Sequence, residues 1–324
     1  MTTKNRKVCF TGPTRLKLAE EILRNAGCNL VMGKNQDDFR TYKYERREIV
    51  DLIGDCAVVF PSGRDVIGGD ILDSCENLQA VVKSSIGIET VDVDAATDLG
   101  ILCCNSPTPE NFMGVAEATV GLMVTLFKRL KFNEDVLRKG GWKEPQNRGT
   151  LMIGRTVGII GVGRIGRAVA QRAPAFGMRV VYASRSAVDL PGAEATSLDR
   201  VLNTSDVVSL HVPLTDETQH LIDKRALARM KRSAYLINTS RGPVVDEEAL
   251  AWALKQHLLA GAALDVYEHE PTINPDLLKL ENVLLVPHLA SGTTETRTAM
   301  ADLAAENVLA VLAGRQPISP VARS

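Results

Sequence analysis

The sequence has no excess of charge of either sign: 38 lysines and arginines stand against 39 aspartates and glutamates, and the formal net charge is −1. A polybasic block is missing as well. Proteins that bind nucleic acids or membrane surfaces usually carry one of these two features. We therefore expect a small-molecule partner, no nucleic acid and no membrane.

Long apolar runs and a targeting signal are also missing. No apolar run approaches the ~18 residues that a membrane helix needs, and the first residues, MTTKNRKVCFTG, lack the apolar centre of a secretory signal. The six cysteines include no CxxC pair and have no histidine-rich companion, which gives no support for a zinc site or a thioredoxin-like motif. These absences predict a cytoplasmic protein with reduced, mostly buried cysteines and no metal.

The strongest positive signal is a glycine-rich turn between two predicted strands. The first strand, Thr156–Ile160, leads into GVGRIG at residues 161–166, and a helical segment connects it to the second strand, Met178–Tyr182. Such turns are common, so the turn alone could be purely structural. The strand–helix–strand context favours a dinucleotide-binding fingerprint. Pro174 lies late in the helical segment and should end or kink the helix near Ala173.

The three glycines of this fingerprint have separate roles in a dinucleotide site. Gly161 makes the tight turn, Gly163 lets a pyrophosphate approach the backbone, and Gly166 lets the helix pack closely on the strand. The helix N-terminus then faces the phosphates, where unpaired N–H groups and the positive end of the dipole form an anion site. The sequence therefore predicts a bound dinucleotide.

Helical and strand patterns alternate on both sides of the fingerprint, which predicts parallel sheets with crossover helices. A length of 324 residues leaves room for about two domains. We expect a discontinuous substrate-binding domain of residues 1–104 and 292–324 and a dinucleotide-binding domain of residues 105–291. The apolar segment Asn111–Leu130 would cross between them. A final helix, Thr294–Ala313, would return over the first domain and leave a cleft between the two.

The fold class that these patterns predict is α/β with two doubly wound parallel sheets. All six cysteines precede residue 105, as if that part were a separate domain. The predicted strands cover residues 8–11, 29–32, 57–60, 79–83, 101–103, 156–160, 178–182, 206–211, 235–238, 260–264 and 283–286. The predicted helices include a run that ends at Asn25 and segments near residues 42–53, 67–74, 91–98, 224–230 and 246–255.

Four polar residues follow predicted strands of the second domain, at the edge that faces the cofactor in such sheets. They are Arg241 in NTSRGPVVD, Asp265 and Glu270 in DVYEHEP, and His288 in PHLASGTT. Hydride transfer to a carbonyl needs a proton donor at the oxygen and a cation for a substrate anion. A histidine beside a carboxylate supplies the donor, because the negative neighbour raises the pKa of the imidazole. An arginine suits a carboxylate in two-point contact.

A lone histidine, glutamate or arginine in a loop is usually a solvated residue or a helix cap. Finding all three types at successive strand ends of one sheet is harder to explain by accident. The other histidines fit a functional role less well, and we interpret His220, His257 and His269 as surface residues. His211 ends a strand in HVPLT, where it could border the cofactor or contribute only to packing.

The order of motifs resembles that of the D-2-hydroxyacid dehydrogenase family over nearly the whole chain. The matching motifs are KSSIGIETVDVDAA, GILCCN, VAEATVGLM, GVGRIG, HVPLT, NTSRGPVVDEEAL, ALDVYEHEP and PHLASGT. By this resemblance Arg241 binds the substrate, His288 is the general acid and base, and Glu270 is the partner of His288. The resemblance implies a flavodoxin-like substrate domain, a Rossmann dinucleotide-binding domain and a homodimer.

The resemblance also implies further binding residues. Asp265 resembles the residue that contacts the nicotinamide carboxamide. The backbone amides of the loop that carries Ile86 and Gly87 would hold the substrate carboxylate. The cofactor-binding residues that we expect in total are Gly161, Gly163, Arg164, Ile165, Gly166, Ser184, Arg185, Ser186, Val212, Pro213, Thr239, Asp265 and Ser291.

The end of the second strand of the fingerprint predicts which cofactor is bound. NAD sites place an Asp or Glu there to bind the ribose 2′-hydroxyl, but this chain has Ser184, Arg185 and Ser186, and the next acidic residue is Asp189. Arg185 can pair with a 2′-phosphate, and the two serines can donate to it. The alternative is that Arg185 is only a solvated loop residue. We expect NADP, with NADPH preferred over NADH.

The expected reaction is reduction of a 2-oxoacid, with glyoxylate or hydroxypyruvate as leading substrates. One alternative is 3-phosphoglycerate dehydrogenase. Enzymes with that activity usually carry an arginine about where Pro61 stands, although Arg64 and Lys83 are nearby cations. Formate dehydrogenases of the superfamily differ in using an amide in place of Glu270. An alternative from another class is a nucleotide-sensing protein of the corepressor branch, which retains similar catalytic residues.

Overall fold

A computed structural model describes residues 6–12, 17–34, 44–143 and 147–323 of the chain. The chain divides into two compact units. The first unit comprises the described residues up to Asn111 together with those from Thr293 onwards, and the second comprises Phe112–Gly292. None of the helices in the described segments is long and apolar enough to cross a membrane.

The first unit contains a sheet of five parallel strands in the order β2-β1-β3-β4-β5, which is the order of flavodoxin-like folds. The strands are β1 (Lys7–Phe10), β2 (Asn29–Met32), β3 (Val58–Phe60), β4 (Ala80–Val82) and β5 (Leu102–Cys104). The helices are α1 (Lys17–Asn25), α2 (Arg46–Ile53), α3 (Gly69–Asp73), α4 (Val93–Asp98) and, at the end of the chain, α11 (Thr294–Leu312). The predicted start of α2 at Tyr42 lies outside the described residues.

The strands of the first unit are short apolar runs in the sequence because they lie in the core of that unit. All three residues of β3 are buried, as expected for a central parallel strand covered on both faces. The final helix, α11, packs the small residues Ala301 and Ala304 against the cluster that contains Val8 and Phe10 of β1. Small side chains on this helix let it lie close to the sheet.

The second unit contains a sheet of seven parallel strands in the order β12-β11-β10-β9-β6-β7-β8. The strands are β6 (Thr156–Ile160), β7 (Arg179–Ala183), β8 (Ala193–Ala195), β9 (Val207–Leu210), β10 (Tyr235–Asn238), β11 (Gly261–Leu264) and β12 (Val283–Leu285). The helices are α5 (Pro109–Lys128), which begins in the first unit, α6 (Leu130–Arg138), α7 (Arg164–Arg172), α8 (Leu198–Thr204), α9 (Lys224–Arg229) and α10 (Glu247–Lys255). Two parallel-sheet α/β domains, as predicted, are confirmed.

Three elements of the second unit were missed by the sequence patterns, for physical reasons. The edge strand β8 has only three residues, AEA, and is largely exposed, so it carries no apolar alternation. The short helix α8 contributes only Val201 and Leu202 to the core. Helix α6 follows the predicted segment Asn111–Leu130, and Arg129, in a left-handed conformation with φ 51°, separates it from α5. The predicted effect of Pro174 is confirmed, because α7 ends at Arg172 and a 3-10 turn follows.

The order of the strands fixes where a ligand can bind in the second unit. The chain starts at β6, proceeds outwards to β7 and β8, and then crosses back to β9 on the other side of β6. In doubly wound sheets the ligand binds outside the carboxyl ends of the strands at this reversal. The fingerprint glycines follow β6, so they lie at the reversal itself.

Candidate active site

The predicted polar residues follow three adjacent strands of the second unit. Arg241 comes after β10, Asp265 directly after β11, and His288 after β12. These strands are hydrogen-bonded neighbours and all run parallel, so their carboxyl ends lie at one edge of the sheet. The structure thereby brings these three residues to the same edge as the fingerprint.

His288 and Glu270 form a hydrogen-bonded pair. Nδ1 of His288 lies 2.8 Å from Oε2 of Glu270. An ionised carboxylate can only accept a hydrogen bond, so Nδ1 is the donor and carries a proton. The other oxygen of Glu270, Oε1, accepts the N–H of Tyr267 at 3.0 Å, which fixes the orientation of the carboxylate. Nε2 of His288 is consequently the nitrogen available for proton exchange with a substrate.

The electrostatics of this pair favour a charged imidazole. The hydrogen bond that His288 donates to Glu270 raises the pKa of His288, against the effect of burial, and the charge of Asp265 acts in the same direction as Glu270. Burial works to raise the pKa of Glu270, but the bond and the charge of His288 outweigh it, so this pKa is lowered. Arg241 lowers the pKa of both residues, which shows that its guanidinium is within electrostatic reach of the pair. A raised pKa favours the protonated imidazole, which is the form in which a histidine can donate a proton.

The side chain of Asn238, the last residue of β10, positions Arg241. The amide of Asn238 donates to the carbonyl oxygen of Arg241 at 2.9 Å, and its Oδ1 accepts the N–H and the hydroxyl of Ser240 at 3.0 and 2.8 Å. This asparagine therefore shapes the turn in NTSRG. Nη1 of Arg241 donates to the carbonyl oxygen of Ser240 at 2.8 Å.

Asp265 is buried and shapes the loop that carries His288. Its Oδ1 accepts the N–H of Leu289 at 2.7 Å, and its Oδ2 accepts the N–H of Ala290 at 3.0 Å. Burial raises the pKa of Asp265 in spite of these two bonds. Both carboxylate oxygens are thus engaged with the protein, and contact with a nicotinamide carboxamide would use their second lone pairs.

The glycine-rich turn has the geometry that a dinucleotide requires. Gly161 has φ +91°, and a Cβ there would lie 2.6 Å from the carbonyl oxygen of His211. A Cβ on Gly166 would overlap the carbonyl oxygen of Gly161, so the helix sits directly on the turn. A Cβ on Gly163 would meet open space, which is the room that a pyrophosphate needs. No side chain caps the start of α7, so its first N–H groups suit an anion.

The other predicted cofactor residues occupy the same edge of the sheet. Ser184, Arg185 and Ser186 follow β7 and are exposed. The pKa of Glu217 is lowered mainly by a hydrogen bond from Thr215 and also by the charge of Arg185, which places Glu217 within electrostatic reach of Arg185. After β9, Val212 is half-buried and Pro213 is exposed. Ile165 and Ser291 are also half-buried. The guanidinium of Arg164 lies over the ring of Phe112, 4.8 Å from its centroid. The buried hydroxyl of Thr239 bonds Thr119 Oγ1 at 2.9 Å.

The predicted substrate loop lies in the first unit, where it is anchored through its carbonyl groups. The N–H of Ser106 donates to the carbonyl oxygen of Ser85 at 2.9 Å. The side-chain amide of Asn105 donates to the carbonyl oxygen of Ile86 at 2.8 Å, and the hydroxyl of Ser85 donates to the carbonyl oxygen of Gly87 at 2.6 Å. Within the described residues the N–H groups of Ile86 and Gly87 donate no hydrogen bond. The loop therefore offers two amides to an acceptor.

The histidines outside the pair differ in their surroundings. His257 and His269 are exposed, as expected. His220 is half-buried and its Nε2 lies 2.6 Å from Oε1 of Glu268, a pair that nothing local in TDETQH indicates. His211 is half-buried behind the glycine-rich turn, its Nε2 lies 2.9 Å from the hydroxyl of Ser209, and burial lowers its pKa to about 3. The imidazole of His211 is thus neutral and lies at the border of the fingerprint.

A metal has no prepared site in the described part of the chain, because no three histidine, cysteine, aspartate or glutamate side chains gather there as ligands. The Rossmann-type sheet, the glycine turn and the histidine–carboxylate pair at one edge instead define a nicotinamide-dinucleotide oxidoreductase.

Comparison with known proteins gives the family. Residues 120–290 match the family described as "D-isomer specific 2-hydroxyacid dehydrogenase, NAD binding domain". The chain is 41% identical over 300 residues to a glyoxylate reductase of Thermofilum pendens, which covers 90% of this chain and 87% of that enzyme. It is 34% identical over 274 residues to a D-3-phosphoglycerate dehydrogenase of Methanocaldococcus jannaschii, covering 83% of this chain and 52% of that enzyme.

A solved structure agrees with these sequence matches. The NADPH-dependent glyoxylate/hydroxypyruvate reductase of Sinorhizobium meliloti, solved with NADP and malonate, superposes with a TM-score of 0.84 at 29% identity and covers 99% of this chain and 97% of its own. The chain belongs to the D-isomer specific 2-hydroxyacid dehydrogenase family and is a 2-hydroxyacid dehydrogenase that uses a nicotinamide dinucleotide.

Proposed function

We propose that the protein reduces glyoxylate or hydroxypyruvate with NADPH to the corresponding 2-hydroxy acid, which has the D configuration where C2 is a stereocentre. The observation that carries this proposal is the pair of His288 and Glu270 beside Arg241, at the sheet edge that holds the dinucleotide fingerprint. Reduction of a 2-oxoacid needs a charged acid, a cation for the substrate and a cofactor at one edge. The cation and the acid follow β10 and β12 at that edge, and the glycine turn that would hold the cofactor follows β6 at the same edge.

The residues have distinct roles in this proposal. The glycine turn and the start of α7 would hold the dinucleotide, which would supply a hydride for the carbonyl carbon, C2. His288 Nε2 donates a proton to the carbonyl oxygen as negative charge develops on it, and Glu270 stabilises the imidazolium before the transfer. Arg241 binds the substrate by two-point contact. In the first unit, the amides of Ile86 and Gly87 bind the substrate carboxylate, which their free N–H groups and fixed carbonyls support.

The substrate class follows from two observations. The curated relatives include a glyoxylate reductase that matches most of its own length and of this chain. In addition, Lys83, a cation that could have bound a phosphate, is buried and donates to Thr90 Oγ1 at 2.6 Å and to the carbonyl of Ser62 at 3.4 Å. Its charge is therefore committed inside the first unit, which favours a small oxoacid over 3-phosphoglycerate.

The preference for NADPH rests on the end of β7. Ser184, Arg185 and Ser186 are exposed there, and no acidic residue stands among them. The next acid in the chain is Asp189, whose carbonyl oxygen accepts a hydrogen bond from Arg167 at 2.7 Å. A 2′-phosphate would find a cation and two hydroxyls at this position. The reductase of Sinorhizobium meliloti, which is NADPH-dependent, has the same overall fold.

We also propose a homodimer in the cytoplasm. Helix α6 has no buried residue although it carries apolar side chains, and Trp142, Leu151 and Ile153 are 76%, 67% and 68% exposed in the same unit. Apolar surface of this kind usually marks an interface, and a second copy of the chain would cover it. All six cysteines are free thiols, which suits a reducing compartment.

A turnover screen tests the proposed function. Purified protein is assayed with glyoxylate, hydroxypyruvate and 3-phosphohydroxypyruvate, each with NADPH and with NADH, and the kcat/KM values are compared. The highest value with glyoxylate or hydroxypyruvate and NADPH supports the proposal. A preference for the phosphorylated substrate would establish the phosphoglycerate dehydrogenase alternative. Tight binding of the dinucleotide without turnover of any 2-oxoacid would favour the corepressor-like alternative.

A further inference from the structure

Two carboxylates outside the proposed catalytic group hold each other's backbone. Glu247 is the first residue of α10 and is buried, and Glu268 lies in the loop between β11 and β12. The N–H of Glu268 donates to Oε1 of Glu247 at 2.6 Å, and the N–H of Glu247 donates to Oε2 of Glu268 at 3.3 Å. The N–H of Asn274 donates to Oε2 of Glu247 at 3.3 Å. The loop before α10 and the loop after β11 are thus linked in both directions.

His220 joins these residues, and we call His220, Glu247 and Glu268 the support cluster. Nε2 of His220 lies 2.6 Å from Oε1 of Glu268 and donates to it, because an ionised carboxylate only accepts. The main-chain N–H of His220 donates to the carbonyl oxygen of Pro243 at 2.8 Å. His220 therefore contacts the same two loops as the carboxylates.

The two loops come closest at Gly242. A Cβ at this position would overlap the carbonyl carbon and oxygen of Tyr267 and would lie 2.6 Å from the nitrogen of Glu268. Only a residue without a side chain lets the main chains pack at this separation. The peptide between Tyr267 and Glu268 is thus packed against Gly242 on one side and bonded by Glu247 through its nitrogen.

Each loop carries a residue of the proposed catalytic group. Gly242 directly follows Arg241 in the chain, and the N–H of Tyr267 donates to Oε1 of Glu270 at 3.0 Å. Tyr267 lies between the N–H that Glu270 accepts and the peptide that Glu247 holds, so a shift of the main chain at Tyr267 would move the carboxylate of Glu270. A separation of the two loops would move Arg241 away from it.

We propose that the support cluster positions Arg241 and Glu270 relative to each other and so sets the geometry in which Glu270 pairs with His288. The inference rests on the roles proposed above for these three residues. The members of the support cluster are positioning residues. Two carboxylates placed side by side repel each other, and apolar side chains could join the loops without this cost. Only acceptors, however, can fix the two backbone amides in both directions.

Replacement of Glu247 tests the proposal, with its exposed neighbour Glu248 as the matched control. Both side chains lie in the first turn of α10, so Glu247→Ala and Glu248→Ala lose the same favourable interaction with the helix dipole. We expect Glu247→Ala to lower kcat/KM for glyoxylate with NADPH by about ten- to a hundredfold, the effect of a misplacement near 1 Å. The KM for NADPH should stay within about twofold, and Glu248→Ala should match the wild type in both.

The pKa of His288, measured by NMR titration of the histidine ring signals, gives a readout that needs no turnover. The charged groups that face His288 are Glu270, Asp265 and Arg241. If Glu270 loses its position, the pKa of His288 should fall towards its ordinary value of ~6.5. We expect this fall in Glu247→Ala and no change in Glu248→Ala.

Milder variants keep the test decisive if Glu247→Ala does not fold. Glu247→Gln retains one carbonyl oxygen for the N–H of Glu268 and should recover most of the activity, and His220→Gln should show a smaller loss in the same direction. An unchanged pKa of His288 in these variants, alongside lower activity, would overturn the positioning role. If instead this pKa falls while Arg241→Ala and Glu270→Gln remain fully active, the positioning role stands and the proposed function is wrong.

Discussion

The main-chain N–H of His288 donates to the carbonyl oxygen of Asp265 at 2.9 Å, so the proposed acid is bonded to the residue that directly follows the neighbouring strand, β11. The carboxylate of Asp265 accepts the next two amides, those of Leu289 and Ala290. His288 adopts φ +51°, which is uncommon for a residue with a side chain. Asp265 therefore accepts three main-chain hydrogen bonds, which hold this backbone in the conformation that turns the imidazole of His288 towards Glu270.

The first prediction concerns Asp265→Asn. The amide group replaces one oxygen by a donor that cannot accept a main-chain N–H, so one buried bond is lost and two donors face each other. We expect a decrease of about 1–3 kcal/mol in the free energy of unfolding and a lower kcat for glyoxylate. Urea unfolding and steady-state kinetics measure the two effects, with the exposed Asp276→Asn as control. Wild-type values for both quantities would contradict this role of Asp265.

The second prediction concerns the proposed acid and the proposed cation. His288→Ala and Arg241→Ala should each lower kcat/KM for glyoxylate by roughly two to four orders of magnitude, which is the range for the loss of a positioned proton donor. His257→Ala, which removes an exposed histidine of the same unit, should leave the kinetics unchanged. Activity within about threefold of the wild type in either variant would remove that residue from the mechanism.

The third prediction concerns the pH dependence that Glu270 creates. Its hydrogen bond raises the pKa of His288, and reduction needs protonated His288, so the reductive rate falls as the pH rises through this raised pKa. Glu270→Gln keeps a hydrogen-bond acceptor but removes the charge. The pH at which the reductive kcat/KM falls should therefore move downwards. A pH profile that superposes on that of the wild type would count against the pairing.

The sequence was sufficient for the features that depend on neighbouring residues. The apolar run that became β10 and the turn motif NTSRG placed Arg241 at a strand end, and the topology then put it beside β11 and β12. The glycine turn was equally local, since Gly161, Gly163 and Gly166 act within six residues. The parallel sheets and the effect of Pro174 on its helix could be predicted for the same reason.

Features that depend on distant residues could not be predicted in this way. His220 and Glu268 are 48 positions apart, and Glu247 and Glu268 are 21 apart. No periodicity connects residues at such separations, and a glutamate at a helix start is usually exposed. The pair of His288 and Glu270 was inferred only because the family resemblance supplied it; its two members lie 18 positions apart.

The fourth prediction is stereochemical. The order of Arg241, Glu270 and His288 in the chain resembles that of enzymes that form D-2-hydroxy acids. We expect the alcohol formed from a prochiral 2-oxoacid such as hydroxypyruvate to have the D configuration, because the hydride would reach one fixed face of C2 in the bound substrate. Chiral chromatography of the product measures this. A predominantly L product would be incompatible with the proposed mechanism.

The last prediction concerns the choice of cofactor, which we assign to Arg185. Arg185 is exposed after β7, and Ser184 and Ser186 flank it. Charged hydrogen bonds are worth about 1.5–3 kcal/mol, so Arg185→Ala should raise the KM for NADPH by about ten- to a hundredfold. The KM for NADH should change little, because NADH has no 2′-phosphate for the guanidinium to bind.

Arg179 provides the matched control for this variant, because it is an exposed arginine at the opposite end of the same strand, β7. Arg179→Ala removes the same charge but lies at the amino end of the strand, away from the edge that follows β7, so both cofactors should keep their wild-type KM values. Equal losses with NADPH and NADH in Arg185→Ala would mean that Arg185 supports the fold and does not bind the phosphate. A wild-type enzyme that prefers NADH would contradict the assignment directly, since a cation that meets no 2′-phosphate gains nothing from this position.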